Sequence, residues 1–312
     1  MKIVRVLCTD KTDYLHLLAA SASLTGLTAA QYPSVCVIDR QTMSFASASG
    51  FRLADWADEV VVVEAPYASP LLNSRYLKTT LRFHVAGEFL FLDLDAVVVR
   101  EELFWRLKCD CIAAGQNIDH NNLRNRNDRF TEDIGTTIYG PMGWEYPFLP
   151  YVNSGVLYCR DNAHCRALFE RWHQLWEDQR QRLGFHLDQP PLNQALREIP
   201  DCLTLMPPVF NSPVDVGPEF EANAWVFHYY ISIYADKPRA DSLLGIVSRE
   251  IQSHGRMNQA ILRFLLGQKR AFFPELSYGT DRPGERESRR EAPLPVHSNR
   301  VQTVVPQNSW LT

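Results

Sequence analysis

Several signatures that would make this chain easy to read are absent. No Gly-x-Gly-x-x-Gly follows the first apolar segment, and no Walker sequence occurs anywhere. Phosphates are therefore not cradled by a glycine-rich loop, which sets aside dinucleotide dehydrogenases and P-loop NTPases. No apolar run approaches the roughly 20 residues of a membrane span. Basic surplus is missing too: 32 Lys and Arg stand against 36 Asp and Glu, a formal charge of −4, so neither nucleic acid nor an anionic membrane is indicated as the main partner. The start, Met1-Lys-Ile-Val-Arg-Val-Leu-Cys-Thr-Asp10, is too short in its apolar part for a signal peptide and reads as a first strand. The seven cysteines are odd in number and scattered, with no Cys-x-x-Cys. Cys8, Cys36 and Cys159 fall in apolar strand-like segments, and Cys109-Asp-Cys111 matches no zinc or redox spacing. This usage implies reduced thiols and a cytoplasmic protein.

What is present is enough to build a core. With 312 residues, 46% of them hydrophobic, the chain suits one large domain or two small ones. Strand and helix patterns alternate: strand Ile3–Leu7, helix Asp13–Leu24, strand Val35–Asp39, a helical patch Phe51–Trp56, strand Val60–Glu64, helix Asn73–Ala86. This rhythm predicts a mainly parallel sheet flanked by helices, with ligands at the carboxyl ends of the strands. Gln116 to Pro150 is polar and aperiodic, rich in Asn and Arg, and reads as a binding loop on the acceptor side. Gly155–Cys159 reads as a strand, and Asn162–Gln181 as an amphipathic helix with Cys165, Leu168, Phe169, Trp172, Leu175 and Trp176 on one face. We expect a domain over 1–274 and a polar, flexible tail over 275–312.

The most informative feature is Asp93-Leu94-Asp95. It interrupts the most apolar stretch, Glu88-Phe-Leu-Phe-Leu-Asp-Leu-Asp-Ala-Val-Val-Val-Arg100, and the strand pattern resumes directly after it. On a continuous strand Asp93 and Asp95 would share a face while Leu94 points into the core. Two carboxylates that close raise each other's proton affinity unless a cation lies between them, and a hard divalent ion, Mg²⁺ or Mn²⁺, resolves the conflict. The plain alternative is a pair that caps a helix or solvates a turn.

Four segments, in order, resemble a GT-A-fold glycosyltransferase, closest to family 8, the group of glycogenin and the bacterial lipopolysaccharide glycosyltransferases. They are Thr9-Asp10-x-x-x-Tyr14, Phe91-Leu-Asp-Leu-Asp-Ala-Val-Val98, Tyr151-Val-Asn-Ser-Gly-Val-Leu-Tyr158 and Leu187-Asp-Gln-Pro-Pro-Leu-Asn193. The likeness covers about residues 1 to 240.

The resemblance implies a nucleotide-diphospho-sugar transferase fold, with a mainly parallel mixed sheet between helices. It implies that Asp93 and Asp95 bind Mn²⁺, Mg²⁺ being possible, and that Leu94 belongs to the same donor site. His228 is implied as the third ligand and Lys237 as a diphosphate contact, although the spacing around Lys237-Pro238 departs from the family pattern. Thr9, Asp10 and Tyr14 are implied at the nucleobase, uridine by family preference, and Arg75 and Lys78 near the sugar phosphate. Asn153, Asp188 and Gln189 are implied at the anomeric carbon, with Ser154 and Gly155 against the sugar.

Each residue also has a plain reading. Tyr14 fits an ordinary helix position, Arg75 and Lys78 a solvated helix face, His228 a core histidine among Trp225, Phe227, Tyr229 and Tyr230, and Asp188 a helix N-cap before Pro190. The implied activity is transfer of a sugar from a UDP-sugar to the hydroxyl of a glycan, protein or small molecule, with retention of configuration. A sugar-1-phosphate nucleotidyltransferase and a nucleotide-sugar-binding protein without turnover are the alternatives, the first disfavoured because Cys8-Thr-Asp-Lys-Thr-Asp13 is no glycine-rich basic loop.

Overall fold

The computed structural model describes residues 1–117, 134–145, 150–214, 223–230 and 238–271. Strand β1 (Lys2–Leu7) leads into helix α1 (Thr12–Ala29), then β2 (Ser34–Asp39), α2 (Arg40–Ala48), β3 (Glu59–Val63), α3 (Pro70–Thr79) and α4 (Leu81–His84). After β4 (Phe89–Leu92) and β5 (Ala96–Val98) come α5 (Glu102–Arg106), β6 (Ile112–Gln116) and β7 (Val152–Cys159). Helices α6 (Ala163–Leu183) and α7 (Gln189–Glu198) precede β8 (Leu203–Met206), β9 (Ser212–Pro213) and β10 (Val226–His228), and α8 (Leu243–His254) and α9 (Gln259–Ala271) follow.

Seven strands form one sheet in the order β3-β2-β1-β4-β7-β6-β8. Its pairings are parallel except where β7 runs against β4 and β6. This is the expected mainly parallel, mixed sheet. Because β1 and β4 are parallel neighbours, their carboxyl ends, and with them Thr9 and Asp93, reach the same rim. The order also reverses there, since β1 leads outward to β2 while β4 begins the other half. Such a reversal opens a crevice for ligands. A second sheet, β5-β10-β9, has three strands.

Strand β4 shows why its sequence is apolar throughout. Phe89 and Phe91 pack with Leu77, Leu168 and Trp172 of α3 and α6, whereas Leu90 and Leu92 pack with Ala96, Val98 and Val226 of the second sheet. Both faces are covered, so alternation disappears. Helix α6 carries the predicted apolar stripe. It starts where Asn162 Oδ1 accepts from the Cys165 N–H at 2.8 Å and ends at Gly184 in the left-handed region (φ 73°).

Four sequence expectations need correction. Asp93-Leu94-Asp95 is not part of one long strand: the chain leaves the main sheet at Leu92, turns through Leu94 and Asp95, and enters the second sheet at Ala96. Hydropathy could not register this, because both strands are buried. The helix placed at Phe51–Trp56 is a single 3₁₀ turn, Leu53–Asp55, and the real helix is α2, begun by Asp39 Oδ1 accepting from the Thr42 N–H at 2.7 Å. Helix Asn73–Ala86 instead starts at Pro70, behind the Ser69 cap, and breaks near Thr80. Finally, the cysteines are not all reduced: Cys111 and Cys202 form a disulfide with their Cα atoms 4.8 Å apart, leaving Cys8, Cys36, Cys109, Cys159 and Cys165 free.

Part of the Gln116–Pro150 loop has structure. Gln116 ends β6, and a helical turn covers Gly135–Tyr139 and Gly140–Met142. Residues 118–133 and 146–149 of that loop, Lys237 and the predicted tail lie outside the described residues. Among the described residues no helix is long and apolar enough to cross a membrane.

The disulfide closes a loop of 91 residues. Cys202→Ser is expected to lower unfolding stability by roughly 2–4 kcal/mol under non-reducing conditions, because the open chain regains loop entropy when unfolded. Urea titrations with and without dithiothreitol test this. Equal stability of variant and wild type without reductant would mean that the bond does not form.

Candidate active site

Four segments meet at the carboxyl end of β4. The Asp93 N–H donates to the Gly155 carbonyl at 2.8 Å, extending the β4–β7 ladder by one bond. The Tyr229 N–H donates to the Asp95 carbonyl at 3.0 Å, and His228 lies opposite Ala96 in the β10–β5 pairing. The turn at Leu94 thus holds Asp93 at the end of one sheet and Asp95 at the start of the other, with His228 brought alongside. Leu94 is half-buried and, like Tyr14 and Phe51, packs against the apolar core around α1.

Asp93, Asp95 and His228 each offer a ligand atom within 4.8 Å of the others. His228 Nε2 lies 3.3 Å from Asp95 Oδ1, and the imidazole is 3% exposed. Tyr230, in the left-handed region at φ 45°, sets its ring edge-on to the His228 ring, centroids 4.3 Å apart. Positive φ in a bulky residue is strained, and strain of this kind concentrates at functional sites. Glycine is required opposite. A Cβ on Gly155 would stand 2.3 Å from His228 Cε1 and 2.7 Å from Asp93 Oδ2. Two carboxylates and an imidazole suit Mn²⁺, and the nitrogen ligand favours it over Mg²⁺. The residues fit the implied ion.

Lys78 closes the site from α3. Its ammonium is 3.0 and 3.1 Å from the two Asp93 oxygens, 2.9 Å from Asp188 Oδ2 and 3.3 Å from Ser154 Oγ. Ser154 donates to the same Asp188 oxygen at 2.7 Å. Arg75, one turn earlier on α3, places Nε 3.3 Å from Asp188 Oδ1, a charge contact without hydrogen-bond alignment. Asp188 is 5% exposed. Burial alone would push its carboxyl up, but Lys78 and Arg75 outweigh burial and, with the Lys78 and Ser154 hydrogen bonds, hold it far below the ordinary carboxylate range. Arg75 is itself raised: burial lowers it, and Asp188, Asp93, Asp95 and Tyr14 more than compensate.

The N-cap reading of Asp188 is correct in position and not in chemistry. It precedes Gln189 and Pro190, yet its side chain makes no cap bond to α7. Its backbone is anchored from below, because Trp172 Nε1 donates to the Asp188 carbonyl at 2.8 Å and Gln179 Nε2 to the Leu187 carbonyl at 2.8 Å. Gln189 Oε1 accepts from the Ser154 N–H at 3.3 Å. Asn153 is buried and accepts, through Oδ1, from the Gly155 N–H at 2.7 Å.

The nucleobase residues are less committed to one another. Thr9 is spent on α2 and its own turn: its N–H donates to Thr42 Oγ1 at 2.7 Å and its hydroxyl accepts from the Lys11 N–H at 2.9 Å. Asp10 is exposed, and Tyr14 is half-buried within electrostatic reach of Arg75. An open depression of about 520 Å³ over the ends of β2 and β3 is lined by Asp39, Arg40, Gln41, Ser44, Glu64, Ala65 and Asn73, and contains none of the residues around Asp93.

One participant escaped the sequence reading. Asn211 accepts from His228 Nδ1 and donates to Asn153 Oδ1. It sits alone between Phe210 and Ser212, in no motif, and only the pairing of β9 with β10 brings it to His228.

No family model matches the chain, and no curated protein does. Solved structures are similar. The galactosyltransferase LgtC in complex with donor and acceptor sugar analogues aligns with a TM-score of 0.50 at 15% identity, covering 88% of this chain and 98% of that one. The apo form of mouse xyloside xylosyltransferase 1 gives 0.45 at 17% identity, covering 74% and 98%. The bifunctional glycosyltransferase WbbM gives 0.49 at 13% identity, covering 74% and 45%. At such identities the likeness is one of fold, and the fold is the GT-A fold that the motifs implied.

Two measurements follow from this geometry. Asp188 is depressed in the folded state, so its stabilisation is whole above the unfolded carboxylate value of about 4 and is lost as pH falls through the folded value. Asp188→Asn is therefore expected to flatten the loss of stability below about pH 4 relative to wild type, read from urea midpoints against pH. An unchanged acid limb would contradict the ion-paired carboxylate. Gly155→Ala is expected to abolish any Mn²⁺-induced rise in Tm, because its Cβ would displace His228 or Asp93.

Proposed function

We propose that this chain is a metal-dependent glycosyltransferase that moves a sugar from a nucleotide-sugar donor, a UDP-sugar, to an acceptor hydroxyl with retention. The observation that carries this reading is the adjacency of two chemistries on a GT-A sheet. A three-residue set able to hold a divalent ion, Asp93, Asp95 and His228, shares Asp93 with a buried cation, Lys78, whose other partner is Asp188. The likeness in fold to LgtC, which was solved with donor and acceptor sugar analogues, supports the reading.

Asp93, Asp95 and His228 would hold Mn²⁺. When bound, such an ion stabilises the negative charge that develops on a departing diphosphate. Lys78, fixed between Asp93 and Asp188, adds a positive charge on the same side. Asp188 then faces the sugar as an electrostatic partner for positive character at the anomeric carbon. A nucleophilic role suits it poorly, since Oδ1 is engaged by Arg75 and Oδ2 by Lys78 and Ser154, and a carboxylate so far depressed is a weak base. Gln189 and Asn153 stand beside it as hydrogen-bonding groups. The departing phosphate accepts the acceptor's proton, so no separate general base is required. Lys237, implied by the resemblance as a diphosphate contact despite its longer spacing from His228, belongs to the same proposal, and Thr9, Asp10 and Tyr14 would border the base.

A thermal-shift series with UDP-, GDP- and CMP-sugars, with and without Mn²⁺, tests the reading. A UDP-sugar at about 100 times its Kd stabilises the folded state by roughly 2.7 kcal/mol, or about 5 °C for a chain of this size, and only with Mn²⁺ present. Asp95→Asn is expected to remove that shift and to lower donor hydrolysis by more than the roughly 10–100-fold typical of losing an outer partner of a metal ligand. Binding with no hydrolysis or transfer to any acceptor would point to a non-catalytic binding protein. Absence of any shift with uridine nucleotides would remove the proposal, and an inverted anomeric product by NMR would remove its stereochemistry.

A further inference from the structure

The hydrogen bonds around His228 decide which nitrogen of the neutral ring carries the proton. The argument starts from a group whose role cannot change, the backbone N–H of Gly155. It donates at 2.7 Å to Asn153 Oδ1, which makes that atom an acceptor. The Asn211 atom 2.9 Å from Asn153 Oδ1 must then be a donor, Nδ2, and the other end of the Asn211 amide is Oδ1, an acceptor. That oxygen lies 2.8 Å from His228 Nδ1, so Nδ1 carries the hydrogen. Neutral imidazole has one N–H, and Nε2 is left with its lone pair beside Asp95. One backbone amide thus sets two amide orientations and a histidine tautomer.

We propose that Asn211 is the positioning residue that fixes His228 as its Nδ1–H tautomer and, through the same amide, locks Asn153, so that the metal side and the sugar side of the site share one orientation. This inference rests on the metal-dependent reading of Asp93, Asp95 and His228 and adds to it a residue that touches neither ion nor donor. Asparagine suits the position because its amide offers an acceptor and a donor in one plane. Aspartate would serve His228 but put oxygen against Asn153 Oδ1, and leucine would serve neither.

The surrounding chain is shaped for this side chain. Asn211 ends a 3₁₀ turn, its N–H donating to the Pro208 carbonyl at 3.1 Å, and is 1% exposed. Gly115, where the β6–β7 register shifts, lies against it, and a Cβ there would come within 2.8 Å of Asn211 Cβ. The bare backbone of β6 makes the room that Asn211 fills. Strand β9 follows at once and pairs with β10, so the distance from Asn211 to His228 is set by a ladder rather than by a loop.

The test uses Mn²⁺ alone, followed by electron paramagnetic resonance of the free ion, on wild type, Asn211→Ala and Asn211→Asp. Asn211→Ala is expected to weaken Mn²⁺ binding about 10–100-fold, the usual effect of losing the second partner of a metal-bound histidine. Asn211→Asp keeps the acceptor for Nδ1 and is expected to bind Mn²⁺ at least as tightly as wild type, while kcat for donor hydrolysis falls because Asn153 has lost its donor. Imidazole ¹⁵N spectra of the metal-free proteins, assigned with His228→Gln, are expected to show Nδ1 protonated in wild type and mixed tautomers in Asn211→Ala. Equal Mn²⁺ affinity in wild type and Asn211→Ala, equal weakening in both variants, or an Nε2–H tautomer in wild type would each overturn the inference. A wild-type chain that binds no Mn²⁺ but shows the Nδ1–H signal would instead overturn the metal reading and leave the hydrogen-bond assignment standing. Should Asn211→Ala fail to fold, Gly115→Ala provides a second handle, since its Cβ displaces Asn211 without altering that side chain and is expected to weaken Mn²⁺ binding in the same direction.

Discussion

The arrangement depends on one buried ammonium. Lys78 is 2% exposed, and a charge so placed is costly unless it is paired and fully hydrogen-bonded. It is paired twice, with Asp93 and Asp188, and contacts Ser154. These partners come from three different elements, the end of β4, the start of α7 and strand β7, so the ion cluster also ties α3 to the β4–β7 side of the sheet. Removing either carboxylate would leave Lys78 with one counter-charge in a low-dielectric setting. The supports beneath it follow from that demand. Trp172 and Gln179 of α6 hold the backbone at Leu187 and Asp188, and the side-chain amide of Asn193 bonds the Val152 N–H at 2.8 Å and its carbonyl at 2.9 Å, steadying the strand that carries Asn153 and Ser154.

How much of this could be read from the sequence depended on whether the signal was local. The alternation of strands and helices through β4 was legible because each element buries a face with its own period, and the α6 stripe was legible for the same reason. The Asp93–Asp95 pair was legible as chemistry but not as geometry. A buried strand of one sheet followed by a buried strand of another has the same hydropathy as one long strand, so the turn at Leu94 was invisible. Helix α2 was missed because its sequence, Arg-Gln-Thr-Met-Ser-Phe-Ala-Ser-Ala, buries only Thr42 and Ala46 and shows no apolar stripe. The disulfide was missed because Cys111 and Cys202 are 91 residues apart and meet only once β6 and β8 are paired. Asn211 was beyond reach on similar grounds: its role comes from a strand pairing, and nothing in Phe-Asn-Ser-Pro distinguishes it from a turn.

The crossing between sheets explains why two aspartates, and not one, mark the site. Asp93 belongs to the β4–β7 side, where Gly155 and Lys78 hold it, and Asp95 belongs to the β5–β10 side, where Tyr229 and His228 meet it. A divalent ion between them would fasten the two sheets together. Gly155 is the contact point of the two systems, its carbonyl bonded to Asp93 and its N–H to Asn153, with no room for a side chain between His228 and Asp93.

Charge arithmetic then gives the proposed chemistry a direction. Among the described residues three carboxylates, Asp93, Asp95 and Asp188, face two cations, Lys78 and Arg75, so these five groups sum to one negative charge. A nucleotide diphosphate brings more negative charge and would meet net repulsion there. A dication held by Asp93, Asp95 and His228 changes the sign to positive, and in a partly buried crevice that reversal is screened little by salt. Asp188 keeps Lys78 in place when Asp93 is shared with such an ion, because Lys78 retains one partner that the ion does not touch. On this reading the second carboxylate partner of Lys78 is what allows one lysine to neutralise Asp93 in the empty site and to serve the leaving phosphate in the filled one.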